Sequence, residues 1–70
     1  MKKRDKILKL LTLAGPRGLR GSEIIQICGF WSGTAYIHLY RLERGGAIIS
    51  DWENDSSYPR ARFYRLSEFR

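Results

Sequence analysis

The sequence predicts an α+β fold in which three helices precede a C-terminal β-hairpin. Three observations carry this prediction: apolar residues recur at helical spacing, glycines and a proline separate those stretches, and two short β-branched and aromatic runs follow. Seventy residues are enough for a single domain, residues 1–70, because a chain of this size buries only about 60% of the surface that its unfolded form exposes. We therefore expect one small core.

The first helix is predicted over Lys3–Ala14. Its apolar residues recur at the i, i+3, i+4 and i+7 positions that share one helix face: Ile7, Leu10, Leu11 and Ala14. Gly15-Pro16 ends the helix, because proline lacks a backbone N–H and glycine favours turns. A short extended piece around Leu19 is expected to follow.

A second, shorter helix is predicted over Ser22–Cys28. Glu23 lies in its first turn, where the helix dipole stabilises an acidic side chain, and Gly29 supplies the C-terminal stop. The buried face is expected to hold three apolar residues: Ile24, Ile27 and Cys28.

A third helix is predicted from Ser32, its N-cap, through about Arg44. Only Phe30 and Trp31 separate it from Gly29, and two helices joined by so short a turn form a helix-turn-helix. The inward positions are Ala35, Leu39 and Leu42. The opposite side holds Gly33, Ile37, Arg41 and Arg44, flanked by Thr34, His38 and Tyr40.

Two strands complete the pattern. Ile48–Trp52 and Arg62–Leu66 are rich in β-branched and aromatic residues, and the polar stretch Glu53–Ala61 between them predicts a hairpin with a long exposed tip. The order helix, short strand, helix, helix, strand, strand describes a winged helix-turn-helix, with the hairpin as its wing.

The charge indicates a partner that carries phosphates. The chain has a net charge of +6 and a pI near 10, and the excess is at the two ends: residues 1–9 and 58–70 are strongly basic, while residues 10–57 are nearly balanced. Double-stranded DNA is therefore the expected partner.

The third helix is the expected reader of base edges in the major groove. Ser32, Gly33 and Thr34 bring small side chains and backbone N–H groups to a helix start, where a phosphate binds well. Four residues are expected to point outward along the groove: Thr34, Ile37, His38 and Arg41. Arg41 suits a bidentate contact to guanine, worth about 1–3 kcal/mol of discrimination, and Ile37 suits a thymine methyl group.

Flanking basic residues are expected to contact the DNA backbone. Arg60 and Arg62 follow the hairpin tip and suit phosphates or the minor groove, although a charged hairpin edge that blocks strand pairing is the alternative. Lys2, Lys3 and Lys6 suit diffuse attraction to phosphates, with a solvated tail as the alternative.

The aromatic residues of the third helix are predicted to pack rather than to stack on bases. Tyr36 and Tyr40 are assigned to packing because the bases of a duplex are not exposed for stacking. An exposed Ile37 equally suits a protein interface. A protein-interaction adaptor or inhibitor that docks through Ile37, Trp31 or Phe69 is therefore a second hypothesis.

Enzymatic chemistry is not expected. Cys28 and His38 are the only residues of their types, so one chain cannot assemble a Cys/His zinc set or a nucleophile–base pair. We expect no cofactor and no small-molecule ligand. No stretch approaches the roughly 20 apolar residues that span a bilayer, and no signal peptide is evident, so a cytoplasmic protein without a membrane partner is expected.

The sequence resembles the PadR-like winged helix-turn-helix transcription regulators. Gly-Thr-x-Tyr at the start of the third helix and Tyr-x-Leu-Ser at the end of the wing are the more specific matches. The resemblance covers most of residues 7–67, in four stretches: 15–25, 32–36, 39–48 and 59–67. It implies transcriptional repression or a related DNA-binding task, with the third helix in the major groove and the wing beside it.

The sequence departs from the family pattern at three places. Ala35 and Ile37 replace the bulkier apolar residue and the proline that often flank the matching tyrosine. The family's C-terminal dimerisation helix is expected to be absent beyond Arg70, which leaves open a homodimer or assembly on DNA. A recombination or architectural accessory factor from a phage or plasmid is a further alternative.

Overall fold

The computed structural model describes residues 1–52 and 62–69, and these have the α+β architecture that the sequence predicts. Three helices are present in this part of the chain: α1 (Lys3–Ala14), α2 (Gly21–Cys28) and α3 (Ser32–Arg44). Three strands form one antiparallel sheet in the order β1-β3-β2: β1 (Leu19–Arg20), β2 (Ile48–Trp52) and β3 (Arg62–Leu66). Single 3-10 turns occur at Gly15–Arg17 and Ser67–Phe69. This is the layout of a winged helix-turn-helix.

All three helices and both long strands contribute to the core. Its buried residues are Ile7, Leu11, Ile24, Cys28, Leu39, Leu42, Ile48, Tyr64 and Leu66. The predicted stripe of α1 is confirmed, with Ile7 and Leu11 fully buried and Leu10 and Ala14 half-buried at its edges. Since burying one such side chain contributes about 1.5–3 kcal/mol, these few residues carry most of the packing energy.

Helix α2 begins one residue earlier than predicted, at Gly21. Its N-terminus is stabilised by the side chain of Glu23, whose Oε1 accepts a hydrogen bond of 2.9 Å from the backbone N–H of Arg20. Gly21 is buried beneath Tyr36 of α3, and a Cβ there would lie 2.9 Å from the tyrosine Oη. The glycine therefore permits a close contact between α2 and α3.

The prediction that Ile27 is buried is wrong, because its side chain is 58% exposed. Gly21, Ile24 and Cys28 form the buried stripe of α2. At about 100° per residue, Ile27 lies roughly 90° from the centre of that stripe. A helix of eight residues contacts the core along this one line, so Ile27 faces solvent.

The turn between α2 and α3 also differs from the prediction in one respect. Gly29 ends α2 in the left-handed conformation, at φ 73°, as expected of a glycine stop. Ser32 is the first residue of α3 and not its N-cap; Trp31 occupies the N-cap with extended backbone and no capping hydrogen bond from its side chain. The helix starts one residue early, so three residues, Gly29, Phe30 and Trp31, separate it from α2.

The long strands pair in register from Ile48 opposite Leu66 to Trp52 opposite Arg62. Side chains alternate across the sheet, so the face that carries Ile48, Tyr64 and Leu66 covers the helices. The predicted hairpin tip, Glu53–Ala61, lies outside the described residues.

Gly18 holds the short strand β1 against the sheet. Its φ is +71°, and a Cβ built there would collide with the backbone oxygen of Tyr64 in β3. Both the backbone conformation and the close approach require glycine.

We expect Ile24→Ala to lower the free energy of unfolding by about 2–5 kcal/mol, because it leaves a cavity in the core. Ile27→Ala is the matched control in the same helix, and it is expected to change stability by no more than about 0.5 kcal/mol. Urea denaturation followed by circular dichroism measures both. Equal losses would contradict the outward orientation of Ile27.

We expect Gly18→Ala to destabilise the protein more than Gly15→Ala. Both glycines combine a φ near +70° with an extended ψ, −173° at Gly18 and −153° at Gly15, a backbone region that is essentially restricted to glycine, but a Cβ at Gly15 meets nothing within 4 Å. The difference between the two variants in thermal unfolding reports the contact between Gly18 and β3. Equal unfolding temperatures of the two variants would show that the close approach of Gly18 to β3 relaxes without a cost in stability.

Candidate nucleic-acid interface

The outward face of α3 is set by the residues that the helix buries. Ala35 and Leu39 are fully buried and Leu42 is 6% exposed, as the sequence predicts. Because successive residues of an α-helix are about 100° apart, the face opposite this stripe holds four residues, which we call the outer row: Gly33, Ile37, Tyr40 and Arg44. All four are exposed.

The predicted recognition residues divide between the outer row and its flank. Ile37 is 52% exposed and Arg41 is exposed beside it. Thr34 and His38 are half-buried, which corrects the expectation that they point outward with Ile37 and Arg41 in one row. The centre of the band formed by these four residues lies about 65° around the helix axis from the outward direction. Thr34 and His38, at the far edge of the band, therefore lie beside the core.

Tyr40 and Arg44 belong to the outer row, although neither was predicted among the site residues. Tyr40 is 61% exposed and Tyr36 is 46% exposed, so the prediction that both pack is wrong for Tyr40 and only partly met by Tyr36. Counting 100° steps from the buried stripe would have found Tyr40. The absence of exposed base faces in a duplex favoured packing instead.

The start of α3 is open to solvent. Trp31, at the N-cap, is 86% exposed, and Ser32 and Gly33 are exposed after it. A Cβ at Gly33 would meet nothing within 4 Å. The first-turn N–H groups, which have no acceptor within the helix, therefore lie at an accessible end.

Helix α1 brings basic residues to one side of α3. Arg4, which was not predicted as a site residue, lines a surface pocket together with His38 and Arg41. Lys2 and Lys3 are exposed. The α1 N-terminus therefore adds positive charge beside Arg41.

Two lysines of α1 contact the turn that precedes α3. The Nζ atoms of Lys3 and Lys6 lie 5.9 and 5.5 Å from the centroid of the Phe30 ring. Lys6 also donates a hydrogen bond of 3.1 Å to the backbone oxygen of Cys28, at the C-terminal end of α2. These contacts tie the basic N-terminus to the helix-turn-helix.

The wing is joined to α3 by a polar network. The hydroxyl of Ser50 in β2 donates to Glu43 Oε2. Arg62 of β3 donates from Nε to Ser50 Oγ at 2.9 Å, and its Nη2 lies 3.5 Å from Glu43 Oε2. The same guanidinium lies 5.3 Å from the centroid of the Trp52 ring. Trp52 and Arg62 therefore lie on the side of the wing that faces α3.

Arg62 is thus engaged within the protein, where the sequence predicts an arginine directed at DNA. Its side chain is still 42% exposed, and a guanidinium has five N–H donors, so it retains capacity for a further acceptor. Arg60 lies outside the described residues.

Among the described residues, the acidic side chains of α3 and of the wing strands are paired. Glu43 is the only acidic residue of α3, and it binds Ser50 and Arg62. Asp51 of β2 points to the opposite sheet face, where its Oδ2 lies 2.6 Å from Arg65 Nη1. Wing residues therefore bind both acids. Neither acid neutralises the positive charge of the outer row.

The described residues show no metal-binding cluster and a buried cysteine. Residues 1–52 and 62–69 contain no cluster of three or more His, Cys, Asp and Glu side chains able to hold a metal ion. Burial raises the pKa of the Cys28 thiol and the nearby Lys6 charge lowers it, with burial the larger effect. The thiol is therefore held in its unreactive protonated form at neutral pH. Among these residues, no helix has the length and apolar character to cross a bilayer.

Comparison with known proteins finds no match. No protein-family model matches the chain, and neither curated proteins nor solved structures yield a significant similarity.

We expect the pair Glu43→Ala and Arg62→Ala to show a coupling energy of about 0.3–1 kcal/mol in a double-mutant cycle at low salt, because both side chains are partly exposed. The coupling should shrink in molar salt. Asp5→Ala with Arg62→Ala is the control, since Asp5 lies on α1 and its effect should add. A coupling of zero at low salt would show that the network does not hold the wing.

Proposed function

We propose that this protein binds double-stranded DNA and acts as a small cytoplasmic transcription regulator of the PadR-like kind. The observation that supports this most directly is the outer row of α3, which is exposed along the whole helix and has basic residues on both sides. Those residues are Arg4 of α1 and Arg41 on one side and Arg62 of the wing, paired with Glu43, on the other, while Arg44 belongs to the row itself. A surface of this shape and charge suits a polyanion.

The dimensions of α3 suit the major groove. With its side chains, an α-helix is about 10–12 Å across, and the major groove of B-DNA is about 12 Å wide. In the proposed complex α3 lies in the groove, and the β2–β3 hairpin lies against the neighbouring backbone or minor groove.

The residues of this surface then have separate roles in DNA binding. Arg41 reads a guanine edge and Ile37 packs on a thymine methyl group. Arg44 and Arg4 contact phosphates. The residues at the helix start and on α1 position the protein on the backbone: Ser32, Gly33, Lys2 and Lys3. Thr34 and His38, on the half-buried flank, support Arg41.

We expect the protein to bind labelled duplex DNA with an affinity that falls steeply as salt rises from about 50 to 200 mM, because binding releases counterions. Arg41→Ala should weaken binding to a selected sequence by about 5- to 150-fold, which corresponds to 1–3 kcal/mol. Arg44→Ala should weaken binding to all sequences alike. Fluorescence anisotropy measures these affinities.

Arg17→Ala is the charge-matched control. Arg17 is exposed on the 3-10 turn after α1, so its loss should change affinity much less than the loss of Arg41. No binding at low salt, or equal losses in the Arg17 and Arg41 variants, would refute the proposal. A salt-insensitive complex with a protein, together with indifference to DNA, would favour the adaptor hypothesis.

A further inference from the structure

The exposed aromatic residues belong to the two elements that are proposed to contact DNA, α3 and the wing. Among the described residues, the exposed aromatic side chains are Trp31, Tyr36, Tyr40 and Trp52. They belong to the N-cap of α3, to α3 itself and to the wing strand β2. Away from this surface, the large exposed apolar side chains are aliphatic: Met1, Leu13 and Ile27. The aromatic side chains therefore belong to the candidate interface.

Two of these aromatic residues, Tyr40 and Trp52, have arginines beside them. Tyr40 precedes Arg41 and lies one turn before Arg44 on α3. Trp52 is 58% exposed while the Arg62 guanidinium lies 5.3 Å from its ring centroid. Glu43, the acid between Tyr40 and Arg62, is already paired. The surface thus combines flat apolar rings with positive charge.

The exposed rings of this surface have no stacking partner in a fully paired duplex. A duplex presents phosphates, sugars and base edges, whereas its base faces are stacked on one another. Aromatic side chains contribute to binding when bases are unpaired, and the stacking of one ring on one base is then worth about 1–3 kcal/mol of binding free energy. Arginines between the rings suit the phosphates that connect such bases.

We propose that the preferred ligand is DNA in which a duplex adjoins unpaired bases. Helix α3 contacts the paired part, as in the proposed function on which this inference rests. The wing residue Trp52 and the outer-row residue Tyr40 stack on bases of the adjoining single strand. The Arg62 contact positions the indole ring of Trp52 for this role.

The test compares three labelled DNAs by fluorescence anisotropy: a blunt duplex, the same duplex extended into a fork of unpaired thymines, and the unpaired strand alone. We expect the fork to bind about 5- to 150-fold more tightly than the blunt duplex, the range that one stacked base supplies. Trp52→Ala should abolish this preference while it weakens binding to the blunt duplex much less. Trp52→Phe should retain part of it.

Leu13→Ala is the control for loss of an exposed apolar side chain, because Leu13 is 77% exposed on α1. It should leave the fork preference unchanged. Tryptophan fluorescence gives a direct readout: the chain has two tryptophans, so Trp31→Phe leaves Trp52 as the single reporter. Its emission should be quenched by the fork and not by the blunt duplex.

The outcomes separate this inference from the proposed function. Equal affinity for fork and blunt duplex overturns the inference while duplex binding is retained. An equal loss of affinity for both DNAs in Trp52→Ala, or stronger binding to the strand alone than to the fork, also overturns it. Absence of binding to every DNA refutes the proposed function itself.

Discussion

The burial of one stripe of α3 is the constraint on which the rest of the structure depends. Ala35, Leu39 and Leu42 are held in a core to which each element contributes only one or two large side chains. In so small a core the helix has no second way to bury comparable area, because interiors are close-packed and do not deform gradually. The stripe therefore fixes the rotation of α3 about its axis, and with it which residues of α3 face solvent.

The second determinant of the interface is the link between α3 and the wing. Ser50, Arg62 and Glu43 lie on three different elements and share hydrogen bonds and an ion pair. An exposed pair of this kind contributes little to overall stability. Its importance is geometric, because it sets the position of the strand ends relative to the helix that carries Arg41 and Arg44.

Much of the fold was predictable because periodicity reports burial directly. The bounds of α1 follow from the apolar spacing and the Gly15-Pro16 stop, both long strands follow from their β-branched and aromatic composition, and the inward residues of α3 follow from spacing. The errors share a cause: Ile27, Tyr40 and the pair Thr34 and His38 were assigned by three- and four-residue spacing or by the absence of exposed base faces in a duplex, without measuring their angle from the buried stripe. The partners of Arg62 were not predictable, since they depend on the register between β2 and β3 and on the approach of the sheet to α3. The prediction that Ser32 is the N-cap was wrong because the N-cap preference of a residue type does not determine where the turn between α2 and α3 ends.

The glycine at the start of α2 has a consequence for the neighbouring helix. Gly21 leaves room for the Tyr36 ring, and a Cβ at this position would come within 3.3 Å of three atoms at the end of that ring. A side chain at position 21 would therefore require the Tyr36 ring to shift. One methyl group on α2 would thus change the aromatic area of a surface to which α2 contributes no side chain. The chemical character of that surface therefore depends partly on a residue of the neighbouring helix.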